Sequence, residues 1–255
     1  MRRGAALAWA GPSAIGLSAL LAAGTAGAQG FPIAEEVVTA LRAQDCRRAV
    51  ELVQRDANTG SASGLLAAGW LYERGLCIKA NADQAYKLYL RAHALGSPVA
   101  AMRMAGLSAS GEGGFDVAAT LWWARDAGLA AVMTEQCDAV PGETAVTIDR
   151  FIERLKLWPA DQLKVCGYVA GLWALTLSDV RYPWRPRAGQ GDGVLTLTAR
   201  LPAGQVEVQS SDANTGIETR GLLELIVRDA QKRLPRLPST LPPQSHEIQL
   251  KLSQG

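Results

Sequence analysis

The chain of 255 residues carries 26 Lys and Arg against 24 Asp and Glu, so it is close to neutral. A near-neutral chain lacks the extended basic surface that binds phosphate backbones or anionic lipid, which argues against nucleic acid as a partner. Its length is sufficient for two modest domains, each with a core of its own.

The first 28 residues have the pattern of a secretory signal peptide. A charged start, Met1–Arg3, precedes an apolar run over residues 5–23, and Ala26–Ala28 supplies small residues ahead of a cut after Ala28. The alternative is an uncleaved anchor, because residues 5–28 are almost long enough to span a bilayer. No later segment is expected to span one. Cleavage removes two Arg and no acidic residue, leaving 24 basic and 24 acidic residues.

Residues 29–128 predict a short array of helical hairpins. Ala and Leu recur at helical spacing, and each segment of roughly 10 to 15 residues is too short to bury its apolar face alone, so the helix pairs are expected to stack. Gly69 is expected to let two helices approach closely, and Gly75 and Gly96 to end helices in the left-handed conformation. Asp83 is expected to start the helix that follows Gly75.

Within residues 62–96, small, aromatic and glycine residues follow one order: Ala68, Gly69, Trp70, Leu71, Tyr72, Gly75, Ala85, Leu88, Tyr89, Ala92 and Gly96. This order resembles a SEL-one-like repeat, a relative of the tetratricopeptide repeat. Residues 97–128 resemble a degenerate second copy, and a divergent cap precedes the first. Two departures are Cys77, at the second turn glycine of the pattern, and His93, where a small residue is usual.

The resemblance to stacked repeats implies a surface for a partner peptide or helix. Trp122 and Trp123, in the second copy, are candidates to line such a groove. The alternative for this pair is packing in the repeat core with one ring exposed.

The repeat geometry also suggests how the four cysteines pair. An even number of cysteines in an exported chain favours disulfides, and the spacing here resembles no zinc pattern. If Cys46 begins one helix and residues 62–74 form the return helix, Cys46 and Cys77 lie at the same end of a hairpin, within disulfide reach. Cys137 would then pair with Cys166. Free buried thiols and a different connectivity are the alternatives.

Residues 129–160 predict a connector with one short helix, and residues 161–255 predict a small α+β domain. After residue 181 the hydrophobic period changes from helical to alternating. Two strands around a turn at residues 202–204, a helix over residues 216–233 and a last strand are expected. The fold class is therefore α-helical repeat hairpins followed by a three-stranded antiparallel sheet with helices on one face.

This element order is accompanied by Tyr182–Pro186 before the hairpin, Gly204 at its turn, Ser210–Ser211 after the second strand and Leu234–Pro238 after the helix. Together they resemble the C-terminal domain superfamily of TonB over residues 165–253. The family usually has a glycine after the paired serines, and this chain has an aspartate there. The resemblance implies that an edge strand captures a short segment of an outer-membrane receptor. The candidate edge residues are Glu247, Ile248, Gln249, Leu250, Lys251 and Leu252.

The sequence contains no recognisable catalytic or metal-binding motif. His93 and His246 are the two histidines, and neither has a metal-ligand partner at helical or strand spacing. A nucleophile elbow, a phosphate-binding loop and a zinc-protease motif are all missing from the sequence. We therefore expect no enzyme activity, no cofactor, no metal and no small-molecule substrate.

Three functions from different classes follow as hypotheses. The first is a periplasmic adaptor of a Gram-negative cell, whose repeats and TonB-like domain each hold an envelope protein. The second is an energy transducer to outer-membrane transporters, which needs residues 1–28 as a retained anchor and usually a long Pro-rich spacer that the sequence does not show. The third, suggested by some exported SEL-one-like proteins, is cell-wall binding or hydrolysis, and no residue set supports it.

Overall fold

The structure is a computed structural model that describes residues 32–111, 114–129, 137–143, 145–181, 193–210 and 217–252. These residues belong to one compact unit. The predicted signal peptide, residues 1–28, lies outside the described residues.

The described part of the chain combines nine helices with one small sheet, which confirms the expected α+β layout. The helices are α1 (Pro32–Arg42), α2 (Cys46–Asn58), α3 (Ala62–Arg74), α4 (Ala82–Ala94), α5 (Pro98–Ala109), α6 (Val117–Asp126), α7 (Ile148–Leu155), α8 (Ala160–Arg181) and α9 (Ile217–Arg233). The strands are β1 (Gly193–Leu201), β2 (Gln205–Ser210) and β3 (Gln244–Leu252).

Side-chain caps determine where several helices begin. Each capping oxygen accepts a hydrogen bond from the backbone N–H three residues later, which satisfies one of the free donors at the helix start. The caps are Asp45, Ser61, Asn81, Asp116 and Thr147. The prediction that Asp83 starts α4 is wrong by two residues, because Asn81 is the cap and Asp83 lies in the first turn.

The first core cluster lies among α1 to α5, where each helix packs on the next one along the chain. Gly69 of α3 faces the ring of Tyr89 of α4, and a Cβ at this position would collide with that ring. The close approach predicted at Gly69 is therefore confirmed. Gly75 and Gly96 have φ of +63° and +85°, so the predicted left-handed helix ends are also present.

The second core cluster combines α5 to α9 with the sheet, and α8 packs against α5, α6 and α9. Gly106 of α5 permits the contact with α8, since a Cβ there would lie 2.6 Å from Cδ2 of Leu175. A Cβ at Gly171 of α8 would likewise collide with Cβ of Ala109 of α5. Helices of the predicted second repeat and elements of the predicted α+β domain thus share one core.

Helix α8 is, among the described helices, the one long and apolar enough to cross a membrane by length and composition. The expectation that no segment after the first 28 residues has this character is therefore wrong. The apolar stretch is Ala160–Val180, and 83% of its most apolar window is buried inside the protein. Burial on nearly all sides explains the composition, because a helix covered all round needs no polar face.

The three strands form an antiparallel sheet in the order β2–β1–β3, with β1 in the centre. Leu197 of β1 lies opposite Val208 of β2 and Ile248 of β3. These three side chains are buried on the inner face of the sheet, and α9 packs against β2. Exposed polar residues alternate with them, as the sequence predicted.

Both predicted disulfides are present. Cys46 at the start of α2 is bonded to Cys77 in the turn after α3, with a Cα–Cα distance of 5.0 Å. Cys137 is bonded to Cys166 of α8, with a Cα–Cα distance of 5.2 Å. Cys77 has φ of +63°, a left-handed conformation that favours glycine, the residue that the repeat pattern has at this position. Two disulfides fit an oxidising compartment.

Candidate interaction surfaces

Strand β3 lies at one edge of the described sheet and pairs with β1 on its other side. Of the six candidate edge residues, Ile248 is buried, whereas Glu247 and Gln249 are exposed. The backbones of Leu250, Lys251 and Leu252 continue the pairing with β1, and their side chains lie outside what the structure describes. The candidate residues are thus brought together on one edge strand.

A groove of about 580 Å³ lies beside the opposite edge, between β2 and α9. Sequence reasoning did not single out this surface. Its walls are Gln205–Gln209 of β2 and five residues of α9, namely Arg220, Glu224, Val227, Arg228 and Gln231. The spacing of the α9 residues places them on one side of a helix.

Trp122 and Trp123 of α6 are half-buried, and their rings contact different elements. The ring of Trp122 packs edge-on against Phe151 of α7, with a centroid distance of 5.4 Å. Trp123 donates from Nε1 to the hydroxyl of Tyr86 of α4 at 2.7 Å and packs edge-on against His93. Adjacent positions on a helix point about 100° apart, which explains the separate neighbours. Partner binding by this pair stays a prediction.

A buried charge cluster links α3, α4 and α5 to α8 and α9. Its members are three arginines, three acidic residues and one tyrosine: Glu73, Arg74, Tyr89, Arg103, Asp179, Asp229 and Arg233. The side chains of Glu73 and Arg103 are fully buried. Burying charge is unfavourable unless opposite charges compensate it, so the pairing within this cluster decides its effect on stability.

Arg103 of α5 occupies the centre of the buried charge cluster. Its Nη1 lies 2.6 Å from Oδ1 of Asp179 and 3.5 Å from Oε1 of Glu73. Arg233 of α9 donates from Nη2 to the same Glu73 oxygen at 2.5 Å. Helices α8 and α9 are thereby joined to α3 and α5 through opposite charges.

Arg74 extends the cluster toward its more exposed end. Its Nη1 donates to Oδ2 of Asp229 at 2.6 Å, and its Nη2 donates to Oδ2 of Asp179 at 3.3 Å. Three guanidinium groups therefore face three carboxylates, which makes the cluster neutral when all of them are ionised.

The pKa of Glu73 shows that pairing outweighs burial at this site. Burial alone would raise the pKa of the carboxyl, but the guanidinium groups of Arg103 and Arg233 hold it below its ordinary value. Burial and the adjacent Glu73 charge raise the pKa of Tyr89 well above its ordinary value. Tyr89 therefore stays protonated and donates to Oε2 of Glu73 at 2.5 Å. The arginines and carboxylates of the buried charge cluster thus form fixed ion pairs that position α3, α5, α8 and α9 relative to one another.

The two histidines lie in different environments. Nε2 of His93 is 3.3 Å from Oδ2 of Asp126, a surface contact on α4 and α6. His246 of β3 is buried beside the core, and burial lowers its pKa. Neither of its ring nitrogens has a hydrogen-bond partner among the described residues. Within the same part of the chain, no group of three or more His, Cys, Asp or Glu side chains is arranged to hold a metal ion.

The sequence does contain a signal for the buried charge cluster. Arg103 is the single charged residue of α5, in the run Pro98–Ala109, and Asp179 follows a long uncharged run in α8. A lone charge within an apolar helix indicates a buried ion pair, because an unpaired one would be too unfavourable. Which residues pair with it depends on the tertiary fold.

Comparison with protein-family models, with curated proteins and with solved structures found no match. The resemblances to SEL-one-like repeats and to the TonB C-terminal domain therefore stay proposals.

Proposed function

We propose that this protein is an exported, non-enzymatic interaction protein that binds an extended segment of an envelope protein as an added strand beside β3. The observation that carries this proposal is the position of β3 at the edge of the described sheet. An edge strand has a row of backbone N–H and C=O groups with which a further strand can pair.

The side chains of β3 suit such an addition. Ile248 is buried and holds the strand on the core, while Glu247 and Gln249 are exposed on the other face. An added strand would take its affinity from backbone hydrogen bonds along the edge and its specificity from contacts with alternate side chains. Binding of this kind forms and breaks no covalent bond and requires no cofactor.

The proposed compartment is the periplasm of a Gram-negative cell. The two disulfides support an oxidising environment, since thiols in the cytosol are kept reduced. The signal-peptide pattern of residues 1–28 supports export.

The proposed family assignments rest on the order of elements. The hairpins α3–α4 and α5–α6 support SEL-one-like repeats over residues 62–96 and 97–128. The order α8, β1, β2, α9, β3 supports a TonB-like domain in residues 161–255. On this assignment, a segment of an outer-membrane receptor is the partner class.

Photo-crosslinking in the exporting cell tests the proposal. A photoreactive phenylalanine analogue in place of Gln249 should form an adduct with an envelope protein. The same analogue in place of Glu51, an exposed residue of α2, should not. A synthetic copy of the captured segment should compete, and a copy with every backbone amide N-methylated should not, because it has no N–H to donate on either edge of the strand. A Gln249 variant that is exported and folded and yet gives no adduct contradicts the proposal.

A further inference from the structure

The groove between β2 and α9 presents the edge of a strand. Five consecutive residues, Gln205–Gln209, line it. Successive side chains of a strand point to opposite faces, so a wall that contains all five positions is an edge and not a face. In the described sheet, β2 pairs with β1 alone. The wall therefore offers a second row of backbone N–H and C=O groups for pairing.

Among its described residues, the opposite wall carries an excess of positive charge. Nε of Arg220 donates to Oε1 of Glu224 at 3.2 Å, and Nη2 of Arg228 donates to Oε2 of the same residue at 3.4 Å. Two guanidinium groups thus share one carboxylate. Both arginine side chains are more than half exposed. Each guanidinium has five N–H donors, so most of them stay available to a ligand.

Among the described residues that line the groove, the remaining acidic one is compensated elsewhere. Glu207 of β2 lies 3.0 Å from Nη2 of Arg200 of β1, and both side chains are exposed. Its neighbour Val208 is buried on the inner face, so Glu207 points to the outer face of the sheet. Its charge therefore does not neutralise the arginines of α9.

We propose that this groove binds an extended, acidic segment of a partner polypeptide. The segment would pair with the edge of β2 through its backbone, and its acidic side chains would face Arg220 and Arg228. Arg and carboxylate groups form strong, charge-assisted hydrogen bonds, often bidentate. The spacing also fits, because the eight residue steps from Arg220 to Arg228 rise about 12 Å along a helix. Four residues of a strand cover about 13 Å, so acidic residues four apart match the two arginines.

The charges disfavour a second copy of this chain as the occupant. If β2 paired antiparallel with β2 of another copy about residue 207, the two Glu207 side chains would lie opposite each other. Like charges directly opposite each other on paired strands are destabilising. The arginines of α9 would also find no acidic side chain on the inner positions, since Val206 and Val208 occupy them.

The test uses a fluorescent ten-residue peptide of Val and Thr with two Glu residues four positions apart, and the same peptide with Lys in place of Glu. Fluorescence anisotropy with the full chain should show that the Glu peptide binds at least tenfold more tightly than the Lys peptide. The charge-reversal variant Arg220→Glu/Arg228→Glu should reverse this preference. Its matched control is Arg47→Glu/Arg91→Glu, which makes the same charge change at two exposed positions outside the groove and should leave the preference unchanged.

The location is tested with the photoreactive analogue in place of Gln209, an exposed residue of β2. The Glu peptide should crosslink at Gln209 and not at Gln249. Equal affinity for the two peptides, or a preference that survives the charge reversal, overturns the proposal. A concentration-dependent dimer in sedimentation that the charge reversal dissociates also overturns it, because the groove is then an interface between two copies.

This groove lies at the opposite edge of the sheet from the surface of the proposed function. The two ideas therefore fail separately. If Gln249 forms an adduct in cells but the Glu peptide does not bind, only the proposal for the β2–α9 groove is wrong. If the Glu peptide binds at Gln209 but Gln249 forms no adduct in cells, only the proposal for the β3 edge is wrong.

Discussion

The two core clusters of the molecule are assembled over different distances along the chain. In the first, each helix from α1 to α4 packs on the helix that follows, so most contacts close over a short turn. In the second, α5 and α6 meet α8, α9 and the sheet. The ion pair between Arg74 and Asp229 spans 155 residues. The first cluster can form by local stacking, whereas the second brings together elements from α5 to β3.

Helix α5 contributes residues to both clusters and so joins them. Val99 and Met104 face the first cluster, and Met102 and Ala105 face the second. Arg103, between them, carries the buried ion pair to Asp179. Changes in α5 should therefore test how strongly the two clusters depend on each other.

The largest effect is expected for Arg103→Met. The substitution leaves Glu73 and Asp179 with less compensation in a buried site, and breaking such a pair costs about 3–5 kcal/mol of the free energy of unfolding. Urea unfolding followed by circular dichroism measures it. The control is Arg220→Met, an exposed arginine whose loss should change stability by less than about 0.5 kcal/mol. Equal effects of the two substitutions would show that the buried charge cluster contributes nothing.

The two disulfides allow a direct comparison of the two regions. They close loops of similar size, with sequence separations of 31 and 29 residues, so chain entropy gives each about 2–4 kcal/mol. Cys46 is exposed, whereas Cys137 and Cys166 are buried. Removal of the second pair should therefore cost more than removal of the first, because buried sulfur contacts are also lost.

The measurement is the urea midpoint of Cys46→Ala/Cys77→Ala against that of Cys137→Ala/Cys166→Ala. A larger loss for the first pair would contradict this ranking. Two separate unfolding transitions in either variant would show that the clusters unfold independently.

A smaller effect is expected for Gly106→Ala. The new methyl group would meet Leu175 of α8 at 2.6 Å, and overpacking of this kind costs about 1–3 kcal/mol. Gly221→Ala in α9 is the matched control, since nothing lies within 4 Å of a Cβ there and alanine stabilises a helix by up to about 1 kcal/mol. Thermal unfolding should show a lower Tm for Gly106→Ala and a higher Tm for Gly221→Ala. Stabilisation by both substitutions would indicate that α5 and α8 can separate without loss.

The smallest effect concerns pH and His246. Burial lowers its pKa in the folded state, so the unfolded state binds a proton more readily. In the unfolded chain the imidazole gains a proton below its ordinary pKa of about 6.5. The free energy of unfolding should therefore fall as the pH drops below that value. His246→Leu removes this dependence. It should also not destabilise the protein at pH 7.5, because both buried ring nitrogens lack a partner among the described residues. The prediction is wrong if the free energy of unfolding falls equally between pH 7.5 and 5 in the unchanged protein and in His246→Leu.

Local elements of the fold were predictable because their causes are local. Gly69, Gly75 and Gly96 each identified a helix contact or a helix end, and the alternation around residues 195–208 identified the hairpin. The pairing of Cys46 with Cys77 followed from the repeat geometry. In each case the relevant residues lie within about one hairpin of each other.

The long-range joins were not predictable from one sequence. Periodicity shows that α8 is apolar, but only its contacts with α5, α6 and α9 show that it is a core helix. Arg103 could be recognised as an unusual charge, yet its partner Asp179 lies in a distant helix. The β2–α9 groove arises from the docking of α9 beside an edge strand, and no residue type or spacing in β2 indicates it.

Helix α8 also limits how the protein can be divided into fragments. A fragment that stops at residue 128 would leave the side of α5 around Met102 and Ala105 without its cover, and a fragment that begins at residue 161 would expose the matching side of α8. Exposed apolar surface of this kind promotes aggregation. A soluble N-terminal piece therefore has to continue through α8, and binding studies on either half need the intact chain.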